Sequence, residues 1–223
     1  RENWILHLLG KTTWPMNALI SDINQDGIDD IVVADRNGLG TVWFEAPTNH
    51  RLAPWPFKVI DPRTHISFMK IADIDRDGKE DLILTTKDTK SITILRRTSH
   101  TASPQFEEFT IPQAAGDFPK GVNIYDYDED GKQEIFVLPK GKGEWIAKVR
   151  SEGATITFET KALSIPGSSS RLKMDDAIHE DMDGDGDLDI VTTDENGGWG
   201  VIWFENPIRH PTDIVAKPDP VGG

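Results

Sequence analysis

Residues 22–35 read DINQDGIDDIVVAD, and this stretch decides the fold. Acidic or amide side chains occupy alternate positions, a glycine interrupts them, and a β-branched apolar run follows. The phrase returns as DIDRDGKEDLILTT from Asp73, DYDEDGKQEIFVLP from Asp126 and DMDGDGDLDIVTTD from Asp181. Successive leading aspartates are 51, 53 and 55 residues apart. A period of this length is typical of repeat architectures.

Each repeat predicts four short strands. In the first repeat, ALISDI (18–23) precedes the acidic phrase and DIVVAD (30–35) follows it, with GTVWFEAP (40–47) third and PFKVIDP (56–62) fourth. These runs are rich in β-branched and aromatic residues, and Gly, Pro and Asn separate them. No window of helical length keeps an apolar period of 3.6 residues. The sequence therefore predicts an all-β fold, a β-propeller built from four-stranded blades.

The ends of the chain bear on the number of blades. Trp4 lies 18 residues before Asp22, just as Trp55 lies 18 residues before Asp73, so residues 4–9 are predicted to be an outermost strand. The last repeat offers only TDIVAKP (212–218) as its fourth strand. Pairing residues 4–9 with that repeat would close a ring of four blades over residues 1–210, leaving 211–223 as a tail or linker. The alternative is part of a larger propeller of about seven blades.

The acidic phrase has the composition of a loop that binds a cation. Its leading Asp is position 1, oxygen-bearing side chains stand at positions 3, 5 and 9, position 7 offers a carbonyl, and glycine holds position 6. Ca²⁺ takes six to eight oxygen ligands, which alternate side chains of a curled loop can supply. The predicted metal residues are Asp22, Asn24, Asp26, Ile28 and Asp30 in loop 1 (22–30); Asp73, Asp75, Asp77, Lys79 and Asp81 in loop 2 (73–81); Asp126, Asp128, Asp130, Lys132 and Glu134 in loop 3 (126–134); and Asp181, Asp183, Asp185, Asp187 and Asp189 in loop 4 (181–189).

A solvated acidic turn would explain one such loop, but four copies with glycine fixed at position 6 favour about four Ca²⁺ sites. Without a cation, the clustered carboxylates would repel one another and oppose folding. Mg²⁺ fits less well because it keeps its waters and demands a strict octahedron. Asn24 removes one charge, which predicts that loop 1 is the weakest site.

The phrase D-x-D-x-D-G-x-x-D leading into an apolar strand resembles the FG-GAP/VCBS repeats of integrin α-subunit propellers and of many secreted microbial proteins. WFEAP (43–47) and WFENP (203–207) resemble the VCBS branch. The resemblance covers nearly the whole chain and implies that Ca²⁺ staples the turn between the first two strands of each blade. It also implies a secreted or extracellular protein, where millimolar Ca²⁺ can fill weak sites.

Composition excludes several classes of site and partner. Cysteine is absent, which rules out disulfides and thiolate metal sites. The formal net charge of −14 argues against nucleic acid as a partner, because phosphate binding needs basic patches. No apolar run approaches the roughly 20 residues of a membrane span.

The segments that enter each first strand suggest a second site, for a polysaccharide or protein ligand. Trp14, His65, Phe118 and Lys173 each stand eight residues before a leading Asp, with Arg63, Lys120 and Arg171 nearby. Aromatic faces beside cations suit a sugar ring or an anionic saccharide. The alternative is that Trp14 and Phe118 pack between blades.

Three functions are compatible with these features. The first is a calcium-stabilised, non-catalytic recognition module for a glycan or protein. The second is a polysaccharide lyase, because some lyases resemble this fold, although the chain has only two tyrosines, Tyr125 and Tyr127, which flank the leading Asp of loop 3. The third is the propeller scaffold of a larger carbohydrate-active enzyme. Fold alone does not choose among them.

Overall fold

The computed structural model describes residues 4–99, 101, 103–112, 118–140, 145–152, 155–162, 173–196 and 198–209. In these ranges the chain forms fifteen strands and no helix, which confirms the all-β prediction. The strands are β1 (Pro15–Ser21), β2 (Asp30–Asp35), β3 (Gly40–Phe44), β4 (Phe57–Asp61), β5 (Ile66–Ala72), β6 (Asp81–Thr86), β7 (Ser91–Arg97), β8 (Phe106–Pro112), β9 (Pro119–Tyr125), β10 (Glu134–Pro139), β11 (Trp145–Glu152), β12 (Thr155–Ala162), β13 (Met174–Glu180), β14 (Asp189–Asp194) and β15 (Gly200–Phe204). No helix in the described ranges is long and apolar enough to cross a membrane.

The chain divides into two compact units, Arg1–Ile111 and Pro112–Gly223. The first unit holds the sheets β1-β2-β3-β4 and β5-β6-β7-β8, and the second holds β9-β10-β11-β12 and β13-β14-β15. Neighbouring strands are consecutive in the chain, which is the meander expected of a propeller blade. Each sheet contains one acidic phrase. The prediction of four strands per repeat is thus confirmed for three sheets, while the TDIVAKP segment lies outside the described residues.

In the first unit, both faces of the first sheet are covered by apolar side chains. On one face Val32, Ala34 and Trp43 pack in a cluster with residues of the second sheet, including Met69 and Leu82. The other face forms a separate cluster of Val33, Val42, Phe44, Ala46 and Trp55. A strand buried on both faces reads as a continuous apolar run, which explains IVVA in β2.

The second unit has a core of its own between its two sheets. Tyr125, Phe136 and Leu138 of the third sheet pack with Met174 and Ile190 of the fourth. Tyr125 stacks on His179, with ring centroids 3.7 Å apart. These contacts fix β9 and β13, the strands that lead into loops 3 and 4.

The prediction of a strand at residues 4–9 is wrong in this structure. These residues carry no strand, and the side chains of Trp4, Ile5 and Leu6 are exposed. The end of the segment is instead fixed to the first sheet, because the Trp55 N–H donates to the Leu9 carbonyl at 2.8 Å. Equal spacing to the leading Asp places residues 4–9 where an outer strand would stand in the sequence, but spacing does not supply the neighbouring strand that a β-strand must pair with.

Candidate functional site

Each acidic loop connects the first and second strands of its sheet. Loop 1 joins β1 to β2, loop 2 joins β5 to β6, loop 3 joins β9 to β10, and loop 4 joins β13 to β14. The flanking strands pair in register up to the loop, as in Ser21 with Asp30 and Ala72 with Asp81. The paired strands therefore hold positions 1 and 9 of each loop close together.

The leading Asp organises its loop by accepting backbone hydrogen bonds. In loop 2, Asp73 accepts from the N–H groups of Asp77 at 3.0 Å and Gly78 at 2.9 Å. The bond from the position 6 glycine recurs in the other three loops, from Gly27, Gly131 and Gly186. These glycines have φ between +80° and +93°, a left-handed conformation that favours glycine.

Position 4 is also left-handed, which the sequence analysis missed. Gln25, Arg76 and Glu129 have φ of 57°, 62° and 56°, and Gly184 has φ of 84°. Because three of these residues are not glycine, their left-handed conformation could not be predicted from residue type. Two left-handed residues separated by one position curl the loop around its carboxylates.

The acid at position 9 ties the loop to the third strand. Asp81 accepts hydrogen bonds from Ile74 N at 3.2 Å and from Arg97 N at 2.8 Å. Asp30 and Asp189 make the same pair of bonds, to Ile23 and Ala46 and to Met182 and Asn206. Glu134 accepts from Tyr127 N at 2.7 Å. Position 9 therefore has a structural role besides any role as a metal ligand.

Three of the four loops bring carboxylates close together. Three groups have one oxygen per residue within 4.8 Å of every other: Asp73, Asp75 and Asp81; Asp126, Asp128, Asp130 and Glu134; and Asp181, Asp183 and Asp189. In loop 1 the amide of Asn24 replaces one of these carboxylates, and its Oδ1 accepts from Asp26 N at 3.1 Å.

A hard cation fits this donor set. All the side-chain ligands offered are oxygens, as Ca²⁺ requires. In loop 4, Asp187 is 1% exposed, and its Oδ1 has no hydrogen-bond donor among the described residues. A buried carboxylate oxygen without a donor is costly unless a cation satisfies it.

Burial shifts the pKa of Asp30, Asp81 and Glu134 upward. Desolvation raises the pKa of Asp81 to about 7, with a further contribution from the nearby charges of Asp75 and Asp77. Burial also raises the pKa of Asp30 and of Glu134. Ionising these clustered carboxylates therefore costs electrostatic free energy, and a bound cation would reduce that cost.

Side chains of the third strands link the loops of neighbouring sheets within a unit, which the sequence analysis also missed. Arg97, at the end of β7, is 2% exposed and donates to the carbonyls of Ile23 at 3.0 Å and Asp22 at 3.4 Å in loop 1. Asn206 occupies the corresponding place in the second unit and donates to the Tyr127 carbonyl of loop 3 at 3.3 Å. An arginine at the end of a predicted strand can be recognised in the sequence, but the carbonyl groups to which it donates cannot be predicted from it.

The residues predicted for a second site occupy equivalent places in the four sheets, beside the strand ends opposite the acidic loops. The carbonyls of Trp14, His65, Phe118 and Lys173 accept from the N–H groups of Arg36, Lys87, Lys140 and Glu195. Two of them have a cation over the ring: Arg36 lies 5.5 Å from the centroid of Trp14, and Lys140 Nζ lies 5.9 Å from that of Phe118.

Most cations predicted for this second site are engaged with acids of their own sheet or its neighbour. Arg63 pairs with Asp61 at 2.9 Å and Glu108 at 2.8 Å. Lys120 contacts Asp175 and Glu195, and Lys173 also contacts Glu195. His65 Nδ1 contacts Asp88. Arg171 lies outside the described residues.

The two tyrosines are poorly placed for lyase chemistry. Tyr125 is buried in the core of the second unit, and this burial raises its pKa. Tyr127 packs beside it, edge-on at 6.1 Å, and its pKa is also raised by burial. A general base needs a pKa near the working pH and contact with substrate.

Comparison with known proteins identifies the repeat. A family model described as FG-GAP-like repeat matches residues 22–84 and 73–137, which together cover just over half of the chain. No curated protein matches the sequence. The matched segments run from loop 1 to strand β10 and contain the first three acidic loops, and loop 4 repeats their hydrogen bonds. The chain belongs to the FG-GAP-like repeat family.

Proposed function

We propose that this protein is a calcium-stabilised, secreted recognition module that binds a glycan or protein partner without catalysis. FG-GAP repeats support the coarser part of this statement, a β-propeller module for recognition or scaffolding. The observation that carries the calcium role is the convergence of acidic side chains within 4.8 Å in loops 2, 3 and 4.

In this proposal the loop residues act as ligands and the backbone acts as their scaffold. Side-chain oxygens at positions 1, 3, 5 and 9 and the carbonyl at position 7 would hold the ion, and positions 1, 3 and 9 lie together in loops 2, 3 and 4. Bound Ca²⁺ would supply positive charge that offsets carboxylate repulsion. Affinities in the range of extracellular modules suit a secreted protein.

The test of the calcium role is titration calorimetry on chelated protein. About four equivalents of Ca²⁺ are expected to bind by millimolar concentration. Fewer than three equivalents would contradict the four-site proposal. The variant Asp181→Asn is expected to weaken loop 4, with Asp88→Asn, an exposed acid outside the four loops, as its control.

The proposed ligand surface of the first unit consists of Trp14, Arg63 and His65, and that of the second unit consists of Phe118, Lys120, Arg171 and Lys173. Its support is the equivalent placement of four of these residues and the exposure of Trp14, which is 53% accessible. Trp14 presents an aromatic face beside Arg36, a combination that suits stacking on a sugar.

A panel of uronate-rich and neutral polysaccharides tests this surface. Retention without new unsaturated product is expected, and Trp14→Ala should reduce it. The matched control is Trp4→Ala, an exposed tryptophan away from the strand ends. Unsaturated product would establish a lyase instead, and no retention of any glycan would leave a protein partner as the ligand class.

The four sheets are proposed to be consecutive blades of one propeller. The support is their common meander and the equivalent loop in each. A larger ring of about seven blades would need further sheets. Small-angle scattering of the chain distinguishes a closed ring of four from an open arc, because the arc has the larger radius of gyration for the same mass.

A further inference from the structure

The four loops differ in one register position of the third strand. We call the third-strand residue opposite position 9 the facing residue. Glu134 pairs directly with Lys148. In the other three sheets the residue after position 9 is paired with the third strand, as Ile31–Phe44, Leu82–Leu95 and Ile190–Phe204. The residue that follows Phe44, Leu95 or Phe204 in the chain therefore lies opposite position 9. The facing residues are therefore Glu45, Arg96, Lys148 and Glu205 for loops 1 to 4.

In loops 2 and 3 the facing residue is a cation that reaches into the carboxylates. Arg96 Nε donates to Asp75 Oδ2 at 2.5 Å, and its NH2 donates to Asp77 Oδ2 at 3.3 Å. Lys148 Nζ donates to Asp128 and lies 4.0 Å from Glu134 Oε1. These groups occupy side-chain oxygens that the proposed metal would use.

The residue at position 7 divides the loops into the same two groups, loops 2 and 3 against loops 1 and 4, independently of the facing residue. Lys79 in loop 2 donates to Asp77 at 2.5 Å, and Lys132 in loop 3 lies 3.6 Å from Asp130. Loops 1 and 4 have Ile28 and Asp187 at this position. Loops 2 and 3 thus carry two tethered cations each.

In loops 1 and 4 the nearby cationic side chains bind groups other than the loop carboxylates, as Arg97 does in donating to the carbonyls of Asp22 and Ile23 in loop 1. Lys58 pairs with Glu45 Oε2 at 3.1 Å, while Glu45 Oε1 accepts from Asn24 at 3.3 Å. Glu45 therefore brings a carboxylate beside the amide of Asn24. In loop 4, Arg209 donates to Glu129 at 2.8 Å and to the Asp185 carbonyl at 3.4 Å.

We propose that the loops form two classes, in which Arg96 and Lys148 act as tethered substitutes for Ca²⁺ in loops 2 and 3, so that loops 1 and 4 bind the ion most tightly. This ranking rests on the proposed function. An ion entering loop 2 or 3 must displace a charged side chain that already contacts the carboxylates, whereas the facing residues of loops 1 and 4, Glu45 and Glu205, add a carboxylate instead of a cation. The ranking reverses the order that Asn24 alone suggested.

Calorimetric titration of the full chain with Ca²⁺ tests the two classes. Two equivalents are expected to bind at least about tenfold more tightly than the others, because removing like charge from a cluster changes cation affinity by this order or more. Four indistinguishable sites would overturn the ranking and leave the proposed function intact. Absence of binding at every loop would reject both.

Variants assign the classes to loops. Lys148→Gln should raise the affinity of loop 3 at least about tenfold and add a third tight equivalent. Arg150→Gln is the matched control, because Arg150 lies two residues along β11 and pairs with Glu159 at 2.8 Å. Arg96→Gln should do the same for loop 2. An unchanged titration of the Lys148→Gln variant would overturn the proposal.

The reverse substitution provides a second test if removal of a half-buried cation prevents folding. Glu205 is exposed, so Glu205→Lys should fold and should remove one tight equivalent. Glu159→Lys, an exposed acid outside the loops, is its control. Retention of two tight equivalents in Glu205→Lys would contradict the proposed role of the facing residue.

Discussion

The conformation of single residues determines the shape of each acidic loop. Glycine at position 6 adopts a left-handed conformation, and its N–H donates to the leading Asp. Because glycine has no Cβ, it adopts this conformation at a lower energy than other residues. A Cβ built on Gly78 meets no atom within 4 Å, whereas one on Gly40 would lie 2.2 Å from the Asp61 carbonyl oxygen. Both glycines have φ of 82°, so a comparison of their alanine variants separates the cost of backbone strain from the cost of a steric collision.

We expect Gly78→Ala to lower the free energy of unfolding by about 1–2 kcal/mol, the cost of a left-handed conformation in an L-residue. Gly40→Ala should cost more, because its Cβ also collides with backbone. Chemical denaturation in the presence of a chelator measures both values without interference from metal. Equal losses for the two variants would contradict the argument.

Asp35 is a residue whose role depends on its charge. It is buried and accepts from Trp14 N at 2.7 Å, Leu39 N at 3.0 Å and Thr13 N at 3.1 Å. Burial opposes its ionisation, but the backbone donors of Trp14, Leu39 and Thr13 outweigh burial and lower its pKa.

We expect Asp35→Ala to destabilise the protein by at least about 2 kcal/mol near neutral pH, because buried donors lose their acceptor. The lowered pKa means that the stabilising contribution is present above the unfolded value near 4 and is lost as pH falls through the folded value. Denaturation curves from pH 7 to pH 3 should therefore converge for the variant and the parent protein. A constant difference over this range would assign the loss to packing rather than charge.

At the scale of elements, the strands and loops could be predicted from the sequence, whereas the hydrogen bonds that connect neighbouring sheets could not. DIVVAD was predicted at residues 30–35, and β2 spans Asp30–Asp35. Periodicity and turn residues are local, so they locate strands well. The targets of Arg97 and Asn206 depend on the packing of one sheet on another, which no local pattern encodes. Residues 4–9 show the opposite failure, a local strand pattern without a partner in the described structure.

Arg97 provides the element-scale prediction. Substitution to Met keeps the apolar stem and removes the donors to the carbonyls of Asp22 and Ile23. We expect a loss of about 2–4 kcal/mol, since each buried group left without a partner costs about 1–3 kcal/mol. Lys90→Met, an exposed position before β7, should change stability by less than about 0.5 kcal/mol. A loss below about 1 kcal/mol for Arg97→Met would show that the carbonyls find other donors.

For the whole molecule, the net charge of −14 and the four acidic loops lead us to expect that stability depends on cations. Each ion that binds only the folded state adds RT ln(1 + [L]/Kd), about 2.7 kcal/mol at a hundredfold excess over Kd. Excess EDTA should therefore lower the melting temperature of the protein, by on the order of 10 °C for two tight sites.

Scanning calorimetry in EDTA, in Ca²⁺ and in Mg²⁺ measures this effect. Recovery of the melting temperature is expected with Ca²⁺ and to a lesser degree with Mg²⁺, which holds its waters more strongly. Potassium chloride at matched ionic strength controls for general screening of charge. A melting temperature unchanged by EDTA would contradict a structural role for metal.

The backbone N–H groups that hold the leading aspartates also bear on the time for which an ion stays bound. Backbone N–H groups hold the leading Asp in every loop, as Asp26 and Gly27 hold Asp22 and as Gly184 and Gly186 hold Asp181, so no loop needs a bound ion to position it. Capture then needs no folding step, and differences in affinity become differences in dissociation rate. We expect loops 1 and 4 to keep their ions through a brief fall in surrounding Ca²⁺, while loops 2 and 3 return to their tethered cations.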